Sequence, residues 1–219
     1  MYNLPHYKEP DNETVLAFMR QHPFIFLSGV NEDNKPVASQ VPVFIDERET
    51  SPDDPDRRGK LFLTGHIMRN TDHHKAFEKN PNVLAVFTGP HTYVSATWYS
   101  NPHQASTWNY MSVHAKGIIR FGEYDDLVNI LKRLTLHYED SNTASTTVFD
   151  NLTPAYKEPL MKAIVAFEVE VTSIEHVFKL SQDRDEKSYD NIIHKLRQQG
   201  GDGKEIAEIM EKRKLKVFP

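Results

Sequence analysis

The chain contains no cysteine, which excludes disulfides, thiol nucleophiles and cysteine-ligated metals. No apolar run approaches the roughly 20 residues needed to span a bilayer, so no membrane partner is expected. The opening Met1-Tyr2-Asn3-Leu4-Pro5-His6-Tyr7 lacks the charged-then-apolar pattern of a signal peptide. Together these absences suit a cytoplasmic protein. Glycine-rich phosphate loops are missing as well: Gly200-Gly201-Asp202-Gly203 follows a helical pattern and not a strand, and reads as a linker. No G-x-S-x-G elbow surrounds Ser95, Ser106 or Ser112, so little supports joining them to His103 or His114 as a hydrolase triad. A net charge of −5 argues against a global positive field for nucleic acid. The sequence shows neither internal repeats nor low-complexity tracts.

The 219 residues suit one domain, or one with a small appendage. Asp11 caps a short helix through about Gln21, with Val15, Leu16, Phe18 and Met19 on its apolar face, and Pro23 ends it. Phe24–Val30 and Pro36–Ile45 read as a β-hairpin across Asn31-Glu32-Asp33-Asn34. Asp46–Gly59 is polar and charged, a loop between strands. Lys60–Thr64 is a third strand, and a short polar helix is expected over His66–Lys79. Further strands follow at Val83–Thr88, then, after a Gly89-Pro90 turn, at His91–Tyr99, and at Ser106–Phe121, where Gly117 is a candidate bulge. An amphipathic helix spans Asp125–Tyr138. Leu160–Val171 alternates as a strand, and two terminal helices cover Ser188–Gln199 and Lys204–Lys214. No alternating βα rhythm appears, which excludes a doubly wound parallel sheet. The expectation is a mainly β fold with flanking helices: a small closed or split antiparallel barrel.

Three segments carry chemistry. In Gly65-His66-Ile67-Met68-Arg69-Asn70, helical spacing would put His66, Arg69 and His73 on one face at a helix N-terminus, a natural phosphate cradle to which Thr64 and Asn70 add donors. The plainer alternative is a polar surface helix. His73-His74 point to different faces and no H-E-x-x-H spacing exists, so no metal is expected. The second segment is the pair of tryptophan-bearing strands. Trp98 and Ser100 would share one face, Trp108 and Tyr110 another, with Thr107 and Asn109 opposite. Large aromatics on a barrel wall usually pack the core. Buried Asn109 and His114 nevertheless need partners, and the edge of a flat ligand ring would supply them. The third is Phe178–Arg184, where Lys179, Gln182 and Arg184 form a polar, basic cluster able to reach a ligand or a second subunit; the plainer alternative is a solvated loop with a helix cap. The tail Lys212-Arg213-Lys214-Leu215-Lys216 reads as a solvated helix end favoured by the helix dipole, and no helix-turn-helix with base-reading side chains is found.

Six segments in order resemble the PaiB family of FMN-binding negative transcriptional regulators. They are Gly65–Arg69, Gly89–Ser95, Trp98-Tyr99, Thr107–Tyr110, Val113–Gly117, and Lys179–Gln182 with Arg184. The chain departs from the family pattern at Gln40, Ala105-Ser106, Asn70-Thr71-Asp72 and Asp183. The resemblance implies an antiparallel split β-barrel similar to pyridoxamine-phosphate oxidases, FMN as cofactor, and a homodimer with the flavin at its interface. It implies Arg69 on the phosphate with His66 and Asn70, and Trp98, Trp108, Asn109, Tyr110 and His114 around the ring. Lys179, Gln182 and Arg184 would reach across from a second subunit. It divides the chain into a flavin-binding barrel over 1–180 and a helical extension over 181–219 packed on it. Three functions stand: a flavin-binding regulator acting on DNA directly or indirectly, an FMN-dependent oxidoreductase, and a ligand-binding protein that has lost flavin. No catalytic residue is assigned.

Overall fold

The computed structural model describes residues 1–49, 59–101 and 103–219. Most of the polar loop expected over Asp46–Gly59 therefore lies outside the described residues. Helix α1, Asn12–Gln21, starts where Asp11 accepts from the amides of Glu13 and Thr14, and it buries Val15, Phe18 and Met19. Strands β1, Phe24–Val30, and β2, Pro36–Pro42, pair antiparallel from Phe24↔Pro42 to Val30↔Pro36. Their turn is set by Asn31, whose Oδ1 accepts from the amides of Asp33 (3.0 Å) and Lys35 (2.9 Å).

The single strand expected over Pro36–Ile45 is instead two. Pro42 brings no N–H to continue a ladder, the Val43 amide turns to Pro23 O, and β3, Phe44–Arg48, pairs with β4, Lys60–Met68. Asp46 thus belongs to a strand. β4 also runs four residues beyond the expected Thr64, because its register with β7, Ile164–Lys179, holds as far as Met68↔Ile164. His66 is consequently a strand residue. Asn70 takes a left-handed φ of 63°, Thr71 caps, and helix α2 covers only Asp72–Lys79. The shared helical face of His66, Arg69 and His73 does not exist.

The turn expected at Gly89-Pro90 is absent, and β5 runs unbroken over Asn82–Val94. Gly89 is there for close packing: a Cβ would fall 2.5 Å from the Phe18 ring. Ser95 then caps a 3-10 turn over Ala96–Trp98, so Trp98 is not on a strand. β6, Thr107–Phe121, and α3, Tyr124–Tyr138, stand where expected. Leu127 packs with Phe149, Met161 and Ala166. The strand expected from Leu160 begins at Ile164, because Pro154 opens an unforeseen helix α4, Pro154–Met161. Helices α5, Glu186–Gln199, and α6, Gly201–Val217, are parted by Gly200 (φ 73°) and not by four residues.

The chain forms two compact units, Met1–His22 with Phe87–His114 and Glu175–Pro219, and Pro23–Val86 with Ala115–Ile174. All seven strands contribute to the second, in the order β2-β1-β5-β6-β7-β4-β3; β5, β6 and β7 continue into the first. In the first unit α5 and α6 bury Tyr189, Ile192, Leu196, Ile206 and Met210, and the Tyr189 hydroxyl donates to Met210 O at 2.9 Å. This is the antiparallel split-barrel class, mainly β with flanking helices. No helix among the described residues is long and apolar enough to cross a membrane.

Within the second unit, a Cβ on Gly117 would lie 2.5 Å from Glu170 O and 2.6 Å from Val169 Cγ1, so the glycine there serves strand-to-strand approach. Gly117→Ala is expected to cost about 2–3 kcal/mol by overpacking against backbone. Urea unfolding of the variant measures it.

Candidate functional site

In the second unit β4 carries His66, and Arg69 follows its end. Arg69 N donates to Ala163 O at 2.8 Å and Arg69 Nε to Ile164 O at 2.9 Å. The first bond holds the backbone and the second holds the guanidinium by its Nε, leaving the two terminal nitrogens of an exposed residue able to meet a ligand. His66 is half-buried, and its Nδ1 is buried with no hydrogen-bond partner among the described residues. Burial pushes the imidazole below its ordinary value, so near neutral pH it offers a neutral ring and not a cation. The N-terminus of α2 is already occupied. Thr71 Oγ1 accepts from His74 N (3.3 Å) and Asp72 Oδ1 from His73 N (2.8 Å). A carboxylate at that position disfavours a phosphate on the helix end, which narrows the expected cradle to Arg69, His66 and Asn70.

In the first unit Asn109, Lys179, Gln182 and Arg184 are brought together at one turn around one buried bond. Asn109 on β6 has no exposed surface, and its Oδ1 accepts from Ser181 Oγ at 2.9 Å while its Nδ2 faces Met210 Sδ at 3.6 Å. Ser181 sits at φ 58°, the apex of the turn after β7. Gln182 folds back on that turn, its Oε1 accepting from Leu180 N and its Nε2 donating to Phe178 O, both at 2.6 Å. Asn109 and Gln182 therefore shape the turn. Lys179 and Arg184 are the groups the turn presents. Lys179 Nζ donates to Thr107 Oγ1 at 2.5 Å, and burial holds its ammonium below the usual lysine range. Arg184 donates to Gln104 Oε1 and lies 3.7 Å from Asp183. Its guanidinium sits 4.8 Å from the centre of the Tyr99 ring. Among the described residues, Arg184 Nε and the Tyr99 hydroxyl are buried with no well-aligned hydrogen-bond partner, although the Arg184 and Tyr99 side chains lie against each other.

The two tryptophans part company. Trp108 is 47 % exposed and is flanked by His91 and Tyr93 at ring distances of 5.9 and 6.1 Å. Trp98 is half-buried in its 3-10 turn, with its carbonyl accepting from Asn191. Tyr110 is half-buried, as is His114. Sequence reasoning missed Tyr99, Tyr7 and Tyr2. Tyr99 had a signal in its place beside Trp98; Tyr2 and Tyr7 had none, since the lysine they both meet, Lys179, lies more than 100 residues away.

Residues 1–173 match the model of a family described as "Putative FMN-binding domain". The chain belongs to this FMN-binding family. It is 31% identical over 212 residues, 96% of this chain and 97% of the other, to "Protease synthase and sporulation protein PAI 2" of Bacillus subtilis, and so is a PaiB-like protein. It is 27% identical, over 80% of this chain and 81% of the other, to an uncharacterized protein of Emericella nidulans. Among solved structures, the FAD and heme binding protein of Mycobacterium smegmatis superposes with a TM-score of 0.55 at 15% identity, covering 78% of this chain and 72% of the other. The flavocytochrome Anf3 of Azotobacter vinelandii does so at 0.53 and 14% identity, covering 87% and 78%. Both share the split-barrel fold.

The cofactor of this FMN-binding chain has two chemical demands, and its residues fit both. A doubly charged phosphate needs a cation and donors, and the second unit carries such groups in Arg69, Asn70 and His66. A flat ring with a donor–acceptor edge needs aromatic faces and polar atoms with bonding capacity to spare. The first unit carries such atoms in Arg184 Nε and the Tyr99 hydroxyl, and such faces in Trp98, Trp108, Tyr110 and Tyr99. A buried polar atom without a partner costs about 1–3 kcal/mol, which a ligand recovers.

Burial lowers His22, His66, His74 and His176 from the ordinary 6.5. Each binds its proton less readily folded than unfolded, so stability is full above pH 6.5 and is lost as pH falls below it. Melting temperatures measured from pH 8 to pH 5 are expected to fall through this window, and His74→Phe is expected to flatten the slope.

Proposed function

We propose that this chain is a homodimeric, FMN-binding regulator of gene expression acting in the cytoplasm. The observation that carries the reading is the end-to-end match to the Bacillus subtilis protein, named for protease synthesis and sporulation. Arg69 binds the phosphate, helped by Asn70 and the neutral ring of His66. Trp98, Trp108 and Tyr110 wall the flavin, with His114 at its edge, and Asn109 and Gln182 hold the turn that presents Lys179 and Arg184 from a second subunit. Bound FMN supplies one- and two-electron redox chemistry; the protein's part is to hold and orient it.

Regulation proceeds by a route other than DNA contact through the basic tail. Arg213 and Lys216 are committed to Glu9 (2.6 and 2.5 Å), and Lys214 to Asp190 and Glu186 (2.7 and 3.2 Å). Those intramolecular pairs leave few charges there for phosphates.

Arg69→Ala removes a charge-assisted pair of hydrogen bonds and is expected to weaken FMN binding about 10- to 100-fold, read by quenching of flavin fluorescence on titration. Unchanged affinity sinks the phosphate assignment. Steady NADPH oxidation by the loaded protein would replace the regulator with an oxidoreductase.

A further inference from the structure

Residues 1–11 are held by ionic contacts that nothing in the cofactor reading uses. The Glu9 side chain is fully buried. Its carboxylate is held by Arg213 at 2.6 Å, Lys216 at 2.5 Å and the Asp11 amide at 3.1 Å. Next to it, Glu9 N donates to His176 Nε2 at 2.8 Å and Lys8 Nζ to His176 O at 2.9 Å. This latch ties the segment to α6 and β7. Beyond it the segment leads to the cations described above. Tyr7 is buried, 5 % exposed, and its ring centre is 5.9 Å from Lys179 Nζ. Its phenol faces the Asp183 carboxylate. Tyr2 is half exposed, 5.8 Å from the same ammonium and 6.2 Å from Tyr7.

Two features point to a cover and not to plain packing. The latch is rigid and buried, whereas the tip is exposed: Met1, Tyr2, Asn3 and Leu4 all face solvent. The tip also lies against a group that remains polar and half-buried, Lys179, in the same unit as Arg184 Nε and the Tyr99 hydroxyl, which lack well-aligned partners among the described residues. A cation beside two aromatic rings is well placed, yet it keeps donors for a ligand edge.

We propose that residues 1–11 form a latched strap whose Tyr2 and Tyr7 wall the Lys179–Arg184 site, so that a flat ligand with a carbonyl-rich or anionic edge is enclosed by this chain's own tyrosines. The strap rests on the reading that a ligand engages these two cations, and FMN is that ligand in the reading above. Asp183, which would repel an anion, is neutralised by Arg184 on one side and faces the Tyr7 phenol on the other.

The test uses the full-length protein without added flavin and trinitrobenzenesulfonate, a flat anionic ring that modifies amines. Labelling of Lys179 is followed by peptide mass spectrometry, with the exposed Lys187 as internal reference. Burial leaves Lys179 with more neutral amine than an ordinary lysine, so slow labelling reports cover and not protonation. Tyr2→Ala removes the tip without touching the latch, and Glu9→Gln weakens the latch. Each is expected to speed Lys179 labelling about tenfold, equivalent to about 1.4 kcal/mol, with Lys187 unchanged. No acceleration in either variant overturns the strap. FMN release, followed by stopped flow, separates the two readings. Faster labelling with faster release supports both. Faster labelling with unaltered release keeps the strap and removes FMN from these cations.

Discussion

A polar group taken out of water must find a partner, and the site depends on where that rule is met and where it is not. Asn109 satisfies it with Ser181 and Met210. That pairing pins the turn after β7 to β6 and so decides where Lys179 and Arg184 stand. Glu9 satisfies it with Arg213 and Lys216. Among the described residues His66 Nδ1 and Arg184 Nε find no well-aligned partner, and the Tyr99 hydroxyl has only the Arg184 side chain beside it. A net hydrogen bond is worth about 1 kcal/mol, whereas an unmade one costs up to about 3, so such orphans are tolerated where a ligand completes them. His74 shows that the rule has a structural exception: its ring nitrogens make no hydrogen bond among the described residues, its Nδ1 lies 3.7 Å from the Glu78 carboxylate, and its ring packs 4.7 Å from Phe121.

Electrostatics arranges the same site. The helix end at α2 is closed to anions by Thr71 and Asp72, and in the proposed reading phosphate recognition passes to the Arg69 guanidinium, held by the Ile164 carbonyl. Such fixing lowers the entropy lost when a ligand is bound. At the turn after β7 the hydrogen bonds of the cations go to neutral acceptors, Thr107 for Lys179 and Gln104 for Arg184, and the Asp183 carboxylate stands 3.7 Å from Arg184. Their charge is therefore positioned without being fully cancelled, which is the condition for attracting an electron-rich ring edge.

Much of this was legible in the sequence, for reasons that differ by element. The long alternation of β6 and the apolar stripe of α3 declare themselves by periodicity, and the cap at Asp11 by residue type. The proposed site residues were picked out by a run of motifs, not by spacing: His66 and Arg69 were grouped on a helix that does not contain them. Local signals misled where tertiary contact ruled. Gly89-Pro90 reads as a turn but accommodates Phe18, and Leu160 reads as strand but follows Pro154 into α4. Tyr2, Tyr7 and Glu9 were illegible because the cations they meet, Lys179, Arg213 and Lys216, are distant in sequence.

The central claim is that this chain holds FMN. Incubating the protein with FMN, desalting it and recording the visible absorption spectrum tests that claim most directly. The account predicts a retained flavin band approaching one FMN per chain, with the spectrum shifted from that of the free cofactor. A colourless protein after desalting, together with no quenching of flavin fluorescence on titration, would contradict it.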